Sequence, residues 1–159
     1  MRTLFLTIFL ASFMLLPLGV DHASPPQQAS GDFQVVSVNV TSVQDVGDTC
    51  IIALNATFDF QGTFEGAFDA HFKIVHHGPC SEPAPETFEA QGTYEGTVEG
   101  VSGTFDFNFQ GSIDAEGNAE GQLVIQKGTS GLAHLRGMLT LTGIAGVGGS
   151  YEGEIHFDP

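Results

Sequence analysis

The chain has 159 residues and a formal charge of −15, from 19 Asp and Glu against 4 Lys and Arg. Nucleic acid is excluded as a partner: phosphate binding needs clustered cations, and beyond Arg2 there are only Lys73, Lys127 and Arg136. An anionic membrane surface is excluded on the same ground, and the acid excess reads as the solubilising charge of an exported protein.

The chain opens with "MRTLFLTIFLASFMLLPLGVDHAS", in which Arg2 precedes an apolar run from Leu4 to Val20 and small residues near Ala23. This is the pattern of a secretory signal peptide, here residues 1–23. The run is shorter than the roughly 20 residues of a bilayer-spanning helix and is interrupted by Pro17. No cysteine follows it, as a bacterial lipoprotein would require. Residues 24–32, "SPPQQASGD", are polar and proline-bearing and read as a flexible tether. Residues 33–159 then form a single domain of about 125 residues, enough for one core. The expected location is secreted, periplasmic or extracellular.

From Phe33 onward the hydrophobic period is two. In "TFEGAFDAHFKIV" the residues Phe64, Gly66, Phe68, Ala70, Phe72 and Ile74 share one face, with Glu65, Asp69, His71 and Lys73 opposite. In "GTFDFNFQGS" Phe105, Phe107 and Phe109 alternate with Asp106, Asn108 and Gln110. Further strands are expected at 33–41, 50–60, 86–99, 119–126, 135–144 and 149–157, giving eight in all. The connectors at 61–62, 114–118 and 146–149 are short and turn-like, as antiparallel neighbours need, and only "SGLAHLR" has room for about one helical turn. An all-β, eight-stranded antiparallel up-and-down barrel is the economical solution, because closure removes unpaired edges. An open two-sheet sandwich is the alternative.

One motif recurs three times: "GTFEG" at 62–66, "GTYEG" at 92–96 and "GSYEG" at 149–153. The aromatic and the closing glycine lie two apart, so Phe64 with Gly66, Tyr94 with Gly96 and Tyr151 with Gly153 point inward, and the glutamate points out. Inward glycine lets a strand coil sharply while a neighbouring ring covers the bare backbone. The motif therefore reads as a bend. The competing acidic site needs Glu65, Glu95 and Glu152 to face one another.

Cys50 opens the second strand and Cys80 follows the third, which puts both at one end of a meander and within reach of a disulfide in an oxidising compartment. "DAEGNAEG" has the opening rhythm of a calcium loop, but Ala119 stands at the glycine position and Ile125 at the closing acid, so a hairpin turn is expected. His71, His76, His77, His134 and His156 include no His-x-His pair, and no metal or other cofactor is expected. There is no nucleophile elbow or phosphate loop. Asn39 and Asn55 head glycosylation sequons that matter only in a eukaryotic secretory pathway.

"KGTSGLAHLRG", Lys127 to Gly137, resembles the connection between two late strands of the allene oxide cyclase and dirigent barrel superfamily. It is also similar to a glycine-rich stretch of an uncharacterised bacterial domain-of-unknown-function family sharing that barrel. "VEGVSGTFDFNFQGSID", Val98 to Asp114, extends this second resemblance. The resemblance implies an allene oxide cyclase-like barrel with a lumen suited to a small apolar molecule, and a homo-oligomer, in that superfamily often a trimer. It carries over fold rather than chemistry, since no working residue of those proteins finds a match here.

The leading functional expectation is a secreted barrel binding a small apolar or aromatic molecule in its lumen, lined by Phe64, Phe68, Tyr94, Phe105, Phe107 and Tyr151. The alternatives are a cyclase or isomerase acting by confinement, which needs an inward polar group, and a non-catalytic structural or oligomeric protein with a packed lumen.

Overall fold

A computed structural model describes residues 24–159; the expected signal peptide, residues 1–23, lies outside the described residues. The strands are β1 (Gln27–Asp45), β2 (Cys50–Gly62), β3 (Phe64–His76), β4 (Glu86–Val98), β5 (Val101–Ile113), β6 (Asn118–Ser130), β7 (Leu135–Ile144) and β8 (Gly148–Phe157). Each pairs antiparallel with the next, and β8 returns to β1 to close the ring. "SGLAHLR" contributes a tight turn rather than a helix, with Leu132 N–H donating to Thr129 O and Leu135 N–H to Leu132 O.

The folded chain starts earlier than the sequence suggests. Gln27 to Gln34 pair with Ile155 to Gly148, and Ala29 is buried. The polar composition of this segment hides its role, because its backbone hydrogen bonds, not its side chains, close the barrel.

Strand β1 also breaks simple alternation. Its apolar residues switch parity between Val35 and Val38 and again between Val40 and Val43, and there the register shifts, leaving Val36 and Thr41 as extra residues. These bulges keep Phe33, Val35, Val38, Val40 and Val43 opposite Phe60, Phe58, Ala56, Leu54 and Ile52 on the inner face.

The two ends of the lumen differ. At the end carrying the β2–β3, β4–β5 and β6–β7 turns, Val98, Leu132, Leu135 and Ile155 are fully buried, with Leu132 brought in by the tight turn. Aromatic rings fill the space above them: Phe68 lies 4.6 Å from Tyr94, Tyr94 stacks 4.6 Å from Phe105, and Phe60 lies 4.1 Å from Phe68, centroid to centroid. Such contacts add roughly 0.5–1.5 kcal/mol each beyond area burial.

The repeated motif bends this packed end. Gly66 and Gly96 face each other across β3 and β4, and a Cβ on Gly66 would sit 2.7 Å from the Gly96 Cα. Tyr94 covers Gly96, Tyr151 covers Gly31 and Gly62, and both use their hydroxyls on the backbone. Tyr94 donates to Thr97 O at 2.6 Å and Glu65 O at 3.1 Å, while Tyr151 accepts from Phe64 N–H at 2.9 Å and donates to Gln61 O at 3.2 Å. Burial pushes both phenols above their ordinary pKa and keeps them neutral donors. Glu65, Glu95 and Glu152 are exposed on separate strands, opposite Thr97, Thr104 and Thr140, and do not converge.

Tyr151→Phe is expected to cost about 1–3 kcal/mol in chemical denaturation, because the buried Phe64 N–H loses its acceptor. Glu152→Gln, one position along, should stay within about 0.5 kcal/mol.

Candidate functional site

The opposite end of the barrel is hollow. Strand ends match around the ring, but at the seam Gly148 meets Gln34, so β1 from Val36 to Asp45 rises past β8 with β2 as its sheet partner. The stagger that closure demands is thus collected at one seam. The inner face of this projecting hairpin is not packed against the opposite wall, and Val38 and Val40 remain 50% and 53% exposed although they point inward.

Between this hairpin and the far wall lies a cavity of about 340 Å³. Phe33, Phe58, Phe72, Phe88 and Phe109 line it, with Leu54 and Ile74 between them and Ile113 and Ile144 near the turns. Below it a residual void of about 10 Å³ separates it from the packed rings, about the least that holds one water.

Phe64, Phe68, Tyr94, Phe105, Phe107 and Tyr151 are brought together, all at most 3% exposed, but in the packed end. None of the six lines the cavity of 340 Å³. The sequence period identifies which rings point inward and says nothing about which level of the barrel is full. Of the rings at the hollow level, Phe72, Phe88 and Phe109 lie further along the strands that carry Phe68, Tyr94 and Phe107, whereas Phe33 and Phe58 are on β1 and β2.

Sequence reasoning missed one feature that strand parity contains. On β3 the inward series Phe72, Ile74 continues to His76, and on β4 the series Ala90, Phe88 continues to Glu86; these two residues are register partners at the rim. His76 Nδ1 lies 2.8 Å from Glu86 Oε1, and His76 Nε2 lies 2.8 Å from the Glu82 carbonyl. A carbonyl only accepts, so Nε2 carries a hydrogen, and a single proton occupies the Nδ1 to Oε1 contact. The carboxylate hydrogen bond, helped by the Glu82 carbonyl, holds the imidazole above its usual pKa despite the opposing effect of burial. Glu86 itself lines the cavity.

The rim is fixed covalently. Cys50, adjacent in register to His76, is bonded to Cys80 in the β3–β4 loop, with Cα atoms 5.1 Å apart. Such a bond is consistent with an oxidising compartment.

Other residues singled out in the sequence are occupied locally. Asp114 accepts hydrogen bonds from the Asn118 side chain, Asn118 N–H and Glu116 N–H, which hold its carboxyl below the usual range and close the β5–β6 hairpin. His71 contacts Asn55, His77 contacts Thr87 and His156 contacts Asp158. Among the described residues no three His, Cys, Asp or Glu side chains converge as a metal site.

Fold and site together define a closed antiparallel β-barrel with one end sealed by aromatic packing and the other opened into an apolar cavity with a His–Glu pair at its rim. The chain belongs to the family described as protein of unknown function (DUF3224), whose model matches residues 29–153. Among solved structures, a protein with unknown function from the DUF3224 family of Shewanella oneidensis MR-1 is similar, at 17% identity and a TM-score of 0.69, covering 85% of this chain and 100% of that chain. That likeness concerns the fold. No curated protein matches the chain.

Two predictions follow from the rim. Because the folded pKa of His76 lies above the unfolded value of 6.5, the stability it contributes is full below that value and is lost as pH rises through the folded pKa. Between pH 6 and pH 9 the wild type should therefore lose more stability than His76→Gln in parallel urea titrations. Cutting the cross-link with Cys50→Ala/Cys80→Ala releases a loop of sequence separation 30 and should cost about 3–4 kcal/mol in the same assay.

Proposed function

We propose that the protein is an exported carrier or sensor that holds one small apolar or aromatic molecule in the hollow end of its barrel. The observation that carries this reading is the inward yet half-exposed position of Val38 and Val40. The fold presents apolar surface to its own interior and leaves it uncovered. A wall of five phenylalanine rings around about 340 Å³ suits one small apolar molecule. Binding of micromolar order is expected once ordering costs are met.

Export is supported by the signal-peptide-like pattern of residues 1–23 and by the disulfide. Kinship with the allene oxide cyclase and dirigent barrels is supported by the Lys127–Gly137 connection and the up-and-down closure. The alternative of a cyclase or isomerase acting by confinement gains one inward ionisable pair, His76 and Glu86. Among the described residues there is no free cysteine and no cluster of three metal-ligating side chains.

Filling the hollow end tests the proposal. Leu54→Trp should abolish the fluorescence enhancement of the neutral probe N-phenyl-1-naphthylamine while changing stability by less than about 1.5 kcal/mol, since the new ring enters empty space. Phe105→Leu, in the packed end, should cost about 1 kcal/mol or more and leave probe binding intact. Full binding by Leu54→Trp would remove the cavity reading.

A further inference from the structure

Resting on the cavity reading, we infer that Glu86 is the polar anchor of the site and that its ligand is a neutral amphiphile. An alcohol or phenol would place its apolar body among the phenylalanine rings and donate its hydroxyl hydrogen to Glu86 Oε2 at the rim.

Three observations converge. First, Glu86 is the inward-facing ionisable side chain of the cavity wall. Glu120 and Thr142 also border the space but lie on the outward positions of β6 and β7, between inward Ala119 and Gly121 and between inward Leu141 and Gly143. The other inward residues lining the cavity are Val, Ile, Leu, Phe, Ala or Gly, and His76, inward beside Glu86, has both ring nitrogens engaged, so Glu86 is where a ligand can meet a side-chain polar group.

Second, Glu86 is oriented. His76 takes Oε1 at 2.8 Å and is itself held by the Glu82 carbonyl at 2.8 Å, in a loop cross-linked through Cys80 to Cys50. Among the described residues Oε2 has no hydrogen-bond partner, so one acceptor is committed to position and the other remains for a ligand. An anchor held this way is ordered before the ligand arrives, which reduces the ordering cost of binding.

Third, the pair is electrically balanced. With one proton on the Nδ1 to Oε1 contact, His76 and Glu86 together carry no net charge whichever atom holds it. A cationic head would meet a carboxylate already compensated by imidazolium. An anionic head would meet an acceptor with no donor to offer, in a chain of formal charge −15. A hydroxyl donor satisfies Oε2 without bringing a charge into the mouth of an apolar cavity.

The test is displacement of N-phenyl-1-naphthylamine at pH 7 by four ten-carbon competitors: 1-decanol, decyl methyl ether, decanoate and decylamine. Decanol should displace best, about tenfold better than the ether, which has the same apolar body but no hydroxyl hydrogen, and better still than decanoate. In Glu86→Leu the preference for decanol over the ether should vanish while the probe still binds. Glu86→Gln, which keeps an acceptor and the side-chain shape, should retain part of it and provides the arm that survives if the leucine variant does not fold. Equal competition by decanol and ether in the wild type, or an undiminished preference in both variants, would overturn the anchor. Strongest displacement by decylamine or decanoate would overturn the neutral-ligand assignment. Failure of the probe to bind the wild type at all would instead sink the cavity reading on which this inference stands.

Discussion

Gly66 and Gly96 stand face to face where β3 pairs with β4, with no room for a Cβ on either, and the architecture depends on that approach. A ring of eight strands can close tightly only if some strands coil hard, and hard coiling brings backbones together on the inside of the bend. The bare backbone created there must be covered and its polar groups satisfied. Phe64 and Tyr94 supply cover beside these glycines, and the Tyr94 hydroxyl bonds to two carbonyls. Aromatic bulk delivered to seal a bend necessarily occupies the lumen at that level. The packed end is thus a consequence of how the barrel is bent, and the rings that look most like a binding site in the sequence are committed to closure.

The hollow end follows from the same constraint. Closure requires stagger, and here it accumulates at the β8–β1 seam, where Gly148 meets Gln34 and the rest of β1 climbs beyond β8. At that level the barrel has lost part of its wall, and Phe72, Phe88 and Phe109, which pack against one another, look across at the valines and leucine of the projecting hairpin. Valine and leucine fill less space than phenylalanine, so a cavity remains where the opposite end has stacked rings. The two bulges on β1 matter here, because without their double change of parity the valines of the projecting segment would turn outward and the cavity would lose its apolar wall.

Much of this was legible in the sequence. Alternation over 64–74 and 105–109, short connectors and the thrice-repeated motif specify an eight-stranded antiparallel ring and the inward rings, and the meander brings Cys50 to Cys80. Three things were not legible, each for a physical reason. The contribution of Gln27 to Gly31 is carried by backbone hydrogen bonds that side-chain patterning does not report. The level of each inward ring along the barrel axis depends on shear, a property of all the registers together, so a periodicity reading identifies the inner face but not its full and empty halves. The inward position of His76 and Glu86 was contained in the parity of β3 and β4, yet the apolar residues that make parity conspicuous stop at Ile74 and Phe88, one inward step before the pair.

That last step also explains how ionisable residues are tolerated on an inward face. A lone carboxylate at Glu86 would lie against Phe88 and Ile74 with little water on one side, and its charged form would be destabilised there. A lone neutral imidazole at His76 would leave a ring nitrogen unpaired once Nε2 had met the Glu82 carbonyl. Together, sharing one proton, they present the cavity with a neutral pair having a single unused acceptor. The disulfide at Cys50, next to His76 in the register, fixes the loop that carries Glu82. The covalent staple, the imidazole and the carboxylate form one chain of constraint from the loop to the mouth of the cavity.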